Sequence, residues 1–226
     1  MGLVLASGLM LAACSTDDGT VEEDATNAEP TESVVDTEEE SEESSGAQGA
    51  MSDTLSGVRN LEDGQYVVGE DVPAGRYVIT GQEPGNLMIE NNENRNTSIM
   101  ETLNDEDIDM GVPSATVDLT EGDEIELMGL ELTTFTPVKE RTRSDVLTTG
   151  TWDVGTDIEP GSYEVTTTGS KSGKIMVYEG IGELPLVDQP IDPEGELGPE
   201  SVTLELEEGQ QVIVSVSPEL SFEANE

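Results

Sequence analysis

Residues 64–79 read GQYVVGEDVPAGRYVI, and residues 150–165 read GTWDVGTDIEPGSYEV. The two stretches align without a gap at an offset of 86 residues, and both contain V-G-x-D followed by G-x-Y. The match continues downstream, where residues 116–127 (TVDLTEGDEIEL) correspond to residues 203–214 (TLELEEGQQVIV). Because order and spacing agree along the chain, the sequence indicates an internal duplication.

Inside each copy, apolar residues alternate with polar ones. This period of two is typical of half-buried β-strands, and no stretch carries a sustained helical stripe. Glycines inside TEGD (residues 120–123) and EEGQ (residues 207–210) predict hairpin turns. We therefore predict an all-β fold of two tandem small antiparallel β-sandwich domains, with about five to seven strands each.

The N-terminal residues 2–13 (GLVLASGLMLAA) carry no charge. They are too few to span a bilayer, which takes about 20 residues, but they suit the apolar core of a signal peptide. The run ends in Leu11-Ala12-Ala13-Cys14, which resembles the bacterial lipobox. The resemblance implies that Cys14 becomes the lipidated first residue of the mature protein, carrying acyl chains such as palmitate. A free cysteine buried in an apolar segment is the alternative.

The segment after Cys14 is strongly acidic. Between Ser15 and Ala50 it has 13 acidic residues and no basic one. Such a composition cannot bury enough apolar surface to offset chain entropy, so we predict a disordered tether. Its simplest role is a stalk that lifts the folded part off the membrane, and an acidic interaction tail is the alternative.

These features divide the chain into five parts. The predicted parts are a lipoprotein signal peptide (1–13), the lipidated Cys and disordered acidic tether (14–61), β-sandwich repeat 1 (62–138), a linker (139–147) and β-sandwich repeat 2 (148–226). The linker holds three of the chain's eight basic residues. We expect these charges to relieve acidic self-repulsion, whereas clamping an acidic patch is the alternative.

The overall composition excludes several functions. With 8 basic and 51 acidic residues the net charge is −43, which repels phosphate backbones and argues against nucleic-acid partners. The chain has no His and one Cys, so a Ser-His-Asp triad, an internal disulfide and a thiolate zinc site are excluded. We expect no enzyme.

The spread of the acidic residues along the chain favours a halophilic or alkaliphilic habitat. This interpretation predicts that the protein unfolds at low ionic strength, which circular dichroism can measure. Capture of cations or basic partners is the alternative.

Asp71 and Asp157 occupy equivalent places in the repeated V-G-x-D turn. A carboxylate there can accept backbone N–H bonds and cap the turn, or it can bind a metal or a substrate. Because the pair recurs in both copies, we expect a structural role.

Asp105, Asp107 and Asp109 alternate in a manner similar to a calcium loop. An EF-hand requires Gly at the sixth position and Glu at the twelfth, but these positions hold Met110 and Thr116. We interpret this cluster as a solvated acidic loop. An irregular calcium site with oxygen ligands is the alternative. No other cofactor is expected.

The repeated motif V-G-x-D-I/V-x-x-G-x-Y resembles a repeat of secreted lipoproteins and surface proteins of Gram-positive bacteria. Residues 68–77 nearly reproduce its usual form V-G-x-D-I-P-A-G-x-Y, whereas Glu159-Pro160 departs from it. The resemblance implies an all-β extracellular module and carries over no catalytic residues. We expect a protein lipid-anchored to the extracellular face of the cell membrane, with a structural or adhesive role toward a cell-wall component, a glycan or a protein. A calcium- or other cation-binding lipoprotein is the alternative.

Overall fold

The computed structural model describes residues 51–52, 57–91, 98–104, 111–180 and 183–225. All regular structure in these ranges is β, which confirms the all-β prediction. Accordingly, none of these ranges contains a helix of the length and apolarity needed to cross a membrane. The predicted signal peptide and the tether up to residue 50 lie outside the described residues.

The described ranges form fifteen strands. They are β1 (Met51–Ser52), β2 (Arg59–Leu61), β3 (Gly64–Val67), β4 (Gly75–Gly81), β5 (Gly85–Glu90), β6 (Ile99–Leu103), β7 (Ala115–Leu119), β8 (Glu124–Met128), β9 (Thr133–Pro137), β10 (Val146–Asp153), β11 (Gly161–Thr167), β12 (Gly173–Tyr178), β13 (Val187–Ile191), β14 (Val202–Leu206) and β15 (Gln211–Ala224). They make one sheet of eleven strands and one of four.

The first repeat contributes strands to both sheets. Strands β2, β9, β4 and β7 are neighbours in the large sheet, and β3, β8, β5 and β6 form the small one. Alternate residues of these strands point inward and share one buried apolar cluster, as their period of two predicts. The cluster includes Tyr66, Tyr77, Ile79, Leu87, Ile89, Val117, Leu119, Ile125, Leu127 and Phe135.

The second repeat has the same strand pairings, but two of its strands are continuous. The two halves of β10 take the places of β2 and β3, and the two halves of β15 take the places of β8 and β9. The N-terminal half of β15 pairs with β12, and its C-terminal half pairs with β11. Strands β10 and β15 each run through both sets of pairings, which in the first repeat belong to two separate sheets. All strands of the second repeat therefore belong to the large sheet.

The repeated aromatic residues of the motif fill equivalent places in the two cores. Tyr77 lies edge-on to Phe135 with ring centroids 6.2 Å apart, and Tyr163 lies edge-on to Phe222 at 6.0 Å. Both hydroxyls donate to the carbonyl oxygen four residues earlier, at 2.9 Å for Tyr77 and 2.8 Å for Tyr163. Each tyrosine therefore buries its ring and satisfies its polar end within its own turn.

The turns at residues 120–123 and 207–210 differ from their prediction as hairpins. Each is tight, with Gly122 and Gly209 at positive φ. However, β7 and β8 lie in different sheets, and β14 does not pair with β15. The hairpin prediction is therefore wrong: these turns carry the chain from one layer to the other. A Gly-containing turn sets a tight reversal, but the sheet that the next strand joins depends on where its apolar face is buried.

The two repeats share the large sheet. Strand β7 of the first repeat pairs in parallel with β10 of the second, with Gly150 opposite Thr116. A Cβ atom at Gly150 would lie 1.9 Å from the Thr116 carbonyl oxygen, so only glycine fits this approach. The described residues from 51 to 225 accordingly belong to one compact unit.

Candidate functional site

A cluster of five charged side chains lies at the junction of the two repeats. Arg76 comes from β4, Asp118 from β7 and Arg141 from the linker, while Asp153 ends β10 and Asp157 lies in the turn after it. The cluster thus draws on both repeats and on the segment between them. We call these five residues the junction cluster.

Arg76 is the buried centre of the junction cluster, with 6% of its side chain exposed. One guanidinium nitrogen contacts the Asp118 carboxylate, and Nη2 donates to the Thr151 carbonyl oxygen at 2.9 Å. The guanidinium carbon also lies 4.8 Å from the ring centroid of Trp152, a cation–π distance. Arg76 therefore ties β4 and β7 of the first repeat to β10 of the second.

Arg141 adds the linker to the same cluster. Its Nε donates to Asp157 Oδ1 at 2.8 Å, and its Nη2 contacts both Asp157 Oδ2 and, at 2.7 Å, Asp153 Oδ2. The fork of a guanidinium matches a carboxylate in this two-point manner. These hydrogen bonds, with the three nearby carboxylates, raise the pKa of Arg141 above its ordinary value. Arg141 does contact an acidic patch, the alternative considered for the linker.

Asp157 stays ionised in this buried position. Burial by itself raises the pKa of a carboxyl, but the hydrogen bonds from Arg141 and from the backbone N–H of Asp153, with the charge of Arg76, bring it below its ordinary value. The Asp153 N–H donates to Asp157 Oδ2 at 2.9 Å. This carboxylate therefore caps its own turn and pairs with the linker at the same time.

The equivalent Asp71 has a simpler environment. Its Oδ2 accepts the Val67 N–H at 2.8 Å, the same turn contact that Asp157 makes, but its side chain is exposed. The turns themselves match, because Gly69 and Gly155 both donate to the carbonyl oxygen three residues later at 2.7 Å. Of the two predicted turn positions, only the second belongs to the junction cluster.

The other predicted site residues lie outside the described residues. They are the lipidation candidate Cys14 and the calcium candidates Asp105, Asp107 and Asp109. In the described ranges, no group of three or more acidic, His or Cys side chains is arranged to hold a metal ion. In the loop that follows β13, the carboxylate of Asp192 accepts N–H bonds from residues 194, 196 and 197, so it is engaged by its own backbone.

Sequence reasoning missed Arg76, Asp118 and Trp152 as parts of one site. A signal existed for Arg76, because it is one of eight basic residues and its equivalent in the second repeat is Ser162. A residue type that differs between equivalent positions of the two copies indicates a role in one copy only. The pairing itself was not predictable, since its partners come from distant strands.

A second buried carboxylate, Glu101, also bridges the repeats. This β6 residue is 5% exposed and accepts a 2.6 Å hydrogen bond from the Ser215 hydroxyl and a 3.2 Å bond from the Val216 N–H, both on β15. Val216 has a positive φ of 67°, which is costly for a β-branched residue. Burial raises the pKa of Glu101, while the two hydrogen bonds oppose the rise.

The free energy of unfolding of the E101Q variant is expected to increase relative to that of the wild type as the pH rises. Because the folded-state pKa of Glu101 is raised, the folded state binds more protons, and the stability contributed by this group falls with pH. The fall begins near the ordinary value of 4.5 and ends at the raised folded pKa. Urea unfolding of E101Q and wild type from about pH 4 to about pH 7 measures the difference.

The exposed Glu205 provides the control for this comparison. E205Q makes the same change of charge without touching the junction, so its difference from the wild type corrects for general acidic repulsion. If the E101Q difference follows the E205Q difference across the pH range, Glu101 does not have the titration behaviour inferred from its burial.

We compared the chain with known protein families and with curated proteins. No protein-family model matches this chain, and a search of curated proteins finds no significant match. Its fold and junction define an all-β protein with an internal duplication, whose repeats share one sheet and a partly buried cluster of paired charges.

Proposed function

We propose that this protein is a lipid-anchored protein of the extracellular cell surface, with a non-catalytic structural or binding role. The observation that best supports the structural part of this proposal is the junction cluster. Buried Arg76 of the first repeat pairs at 3.5 Å with buried Asp157 of the second, and Arg141 of the linker pairs with the same carboxylate. Charges used in this way hold two modules in a fixed orientation, which suits a rigid unit displayed at a surface.

The same proposal treats each repeat as a β-sandwich module. Support comes from the equivalent strand pairings of the two copies and from one buried apolar cluster for each copy. The shared sheet joins the modules directly, so the linker need not act as a flexible hinge.

The alternative of a calcium-binding lipoprotein stays a prediction. Its candidate ligands, Asp105, Asp107 and Asp109, lie outside the described residues.

Serine at position 14 is expected to abolish lipidation and release the protein from the membrane. The lipid forms a thioether with Cys14, and a hydroxyl cannot replace the thiol in that linkage. Expression of the full chain in a Gram-positive host, with labelling by an alkyne-tagged palmitate, measures attachment. Sedimentation of the membrane fraction measures location.

The neighbouring substitution S15A is the matched control, because it changes a small polar residue without removing the thiol. It should label and sediment as the wild type does. Palmitate label on C14S, or wild-type protein without label, would contradict the anchor. Membrane sedimentation of an unlabelled C14S variant would show a different mode of attachment.

A further inference from the structure

The outer face of the four-stranded sheet carries methionine, glutamine and glutamate side chains. Gln65, Glu126, Met88 and Met100 lie in register in one row across β3, β8, β5 and β6. A groove of about 400 Å³ runs along this face, lined by Met88, three glutamates and residues 65–67. We call it the open face.

The open face combines methionine side chains with several glutamates. Met100 is 74% exposed. Glu90 on β5 lies directly opposite Glu124 on the neighbouring strand β8. Like charges in this position destabilise a sheet. Strands β3, β5, β6 and β8 contain no Lys or Arg. Glu126 accepts a 3.1 Å hydrogen bond from Gln65 Nε2 on the neighbouring strand. The opposed Glu90 and Glu124 and the exposed Met100 have no such contact among the described residues, which indicates a surface with another use.

The duplication shows what this face does in the other copy. In the second repeat, Ile213 stands at the place of Glu126, and Met176 at the place of Met88. Ile213 is part of the buried apolar cluster of the first repeat, and Met176 packs against that cluster. The same face of the fold is therefore an interface in the second repeat and open in the first.

The interface of the second repeat also indicates the charge of a suitable occupant. There the covering repeat supplies Arg76, which donates to the Thr151 carbonyl oxygen and packs on Trp152. Position 151 is the equivalent of Gln65 on the open face, whereas position 152 is the equivalent of Tyr66, whose ring is buried in the core of the first repeat. The open face carries three glutamates beside the Gln65 position, so an occupant with several basic groups complements it.

Charge argues against two other occupants of the open face, the acidic tether and a second copy of the chain. The acidic tether has 13 acidic residues and no basic one between Ser15 and Ala50. A second copy of the chain brings a net charge of −43. Both would place like charges against Glu90, Glu124 and Glu126, at a cost of several kcal/mol in a wrong pairing.

We propose that the open face docks a cationic polypeptide segment of another protein. Its basic side chains pair with Glu90, Glu124 and Glu126, and its apolar side chains enter the groove beside Met88 and Met100. Methionine suits such a surface because its flexible, polarisable side chain adapts to different apolar partners. This inference rests on the proposed binding role and names the class of partner.

The test uses the full chain and a fluorescein-labelled ten-residue peptide of alternating lysine and leucine, with binding followed by fluorescence anisotropy at about 0.15 M NaCl. The variant E90Q/E124Q/E126Q is expected to bind at least about tenfold more weakly. The control E205Q/E207Q/E223Q removes the same charge from exposed positions of the second repeat and should change affinity less than about twofold.

A second pair of measurements separates docking from plain charge attraction. M88S/M100S should weaken binding of the lysine–leucine peptide but leave binding of a lysine–serine peptide unchanged. Equal losses in the two glutamine variants, or no effect of the methionine changes, would overturn the proposal. So would tight binding of spermine that competes fully with the peptide, or dimerisation of the chain through this face.

The result is independent of the lipid anchor. Anisotropy measures the face in solution, whereas palmitate labelling measures Cys14. A failed peptide test with a labelled Cys14 rejects only the docking inference. An unlabelled Cys14 with specific peptide binding rejects the anchor and leaves the face as a docking site.

Discussion

Alanine at Gly150 is expected to lower the free energy of unfolding by about 3 kcal/mol or more, because it forces the two repeats apart. The new Cβ atom would lie 1.9 Å from the Thr116 carbonyl oxygen and 2.7 Å from its carbonyl carbon. These are backbone atoms of β7, so no side-chain rotation relieves the clash. Urea unfolding of G150A measures the loss, and the parallel contact between β7 and β10 is where it arises.

The equivalent glycine of the first repeat separates steric conflict from backbone strain. Gly64 also has a positive φ, 157° against 141° for Gly150, but the nearest atom to its Cβ would be Tyr66 Oη at 3.4 Å. G64A should therefore cost about 1 kcal/mol, the price of strain without the clash. Equal losses in G64A and G150A would show that the approach of Thr116 does not determine the choice of glycine.

Glutamine at Arg76 is expected to lower the free energy of unfolding by about 3 kcal/mol. The side chain is 6% exposed, and its removal leaves Asp118 and the buried Asp157 with less positive charge between them. It also removes the stacking on Trp152 and the hydrogen bond to the Thr151 carbonyl oxygen. Removing one partner of a buried ion pair costs more than the pair itself contributes.

Arg143 is the matched control for this loss of charge. It pairs with Glu159, but the two side chains are 51% and 59% exposed. R143Q makes the same change in net charge and should cost less than about 1 kcal/mol. The double variant R76Q/D118N should recover part of the loss of R76Q, because the unpaired carboxylate is removed with its partner. If R76Q and R143Q lose the same stability, Arg76 acts only through the net charge of the chain.

Local patterns predicted the strands well. The alternation of Tyr77 with Ile79, and of Ile125 with Leu127, placed these residues on inward faces, and all four are buried. The side-chain period of a strand is a local property, so it can be read from a few consecutive residues. The V-G-x-D turns are local in the same sense, since the carboxylate of each bonds a backbone N–H four residues earlier.

Long-range pairing was beyond such patterns. The hairpins predicted at residues 120–123 and 207–210 are wrong because a tight turn does not determine which sheet its following strand joins. The junction cluster unites Arg76, Asp118 and Asp157, which are far apart in the sequence. Their types alone could not pair them, since 51 acidic residues offer many partners for each arginine.

The sequence by itself determined the duplication, the β-strand period and the acidic character of the chain. These follow from composition and from spacing along neighbouring residues. Only the tertiary structure decided that the equivalent faces of the two copies differ in use. Ile213 in the second repeat meets the apolar cluster of the first, whereas Glu126 at the equivalent place remains outside. A face is covered or open according to what the rest of the chain brings against it, and that depends on contacts between distant residues.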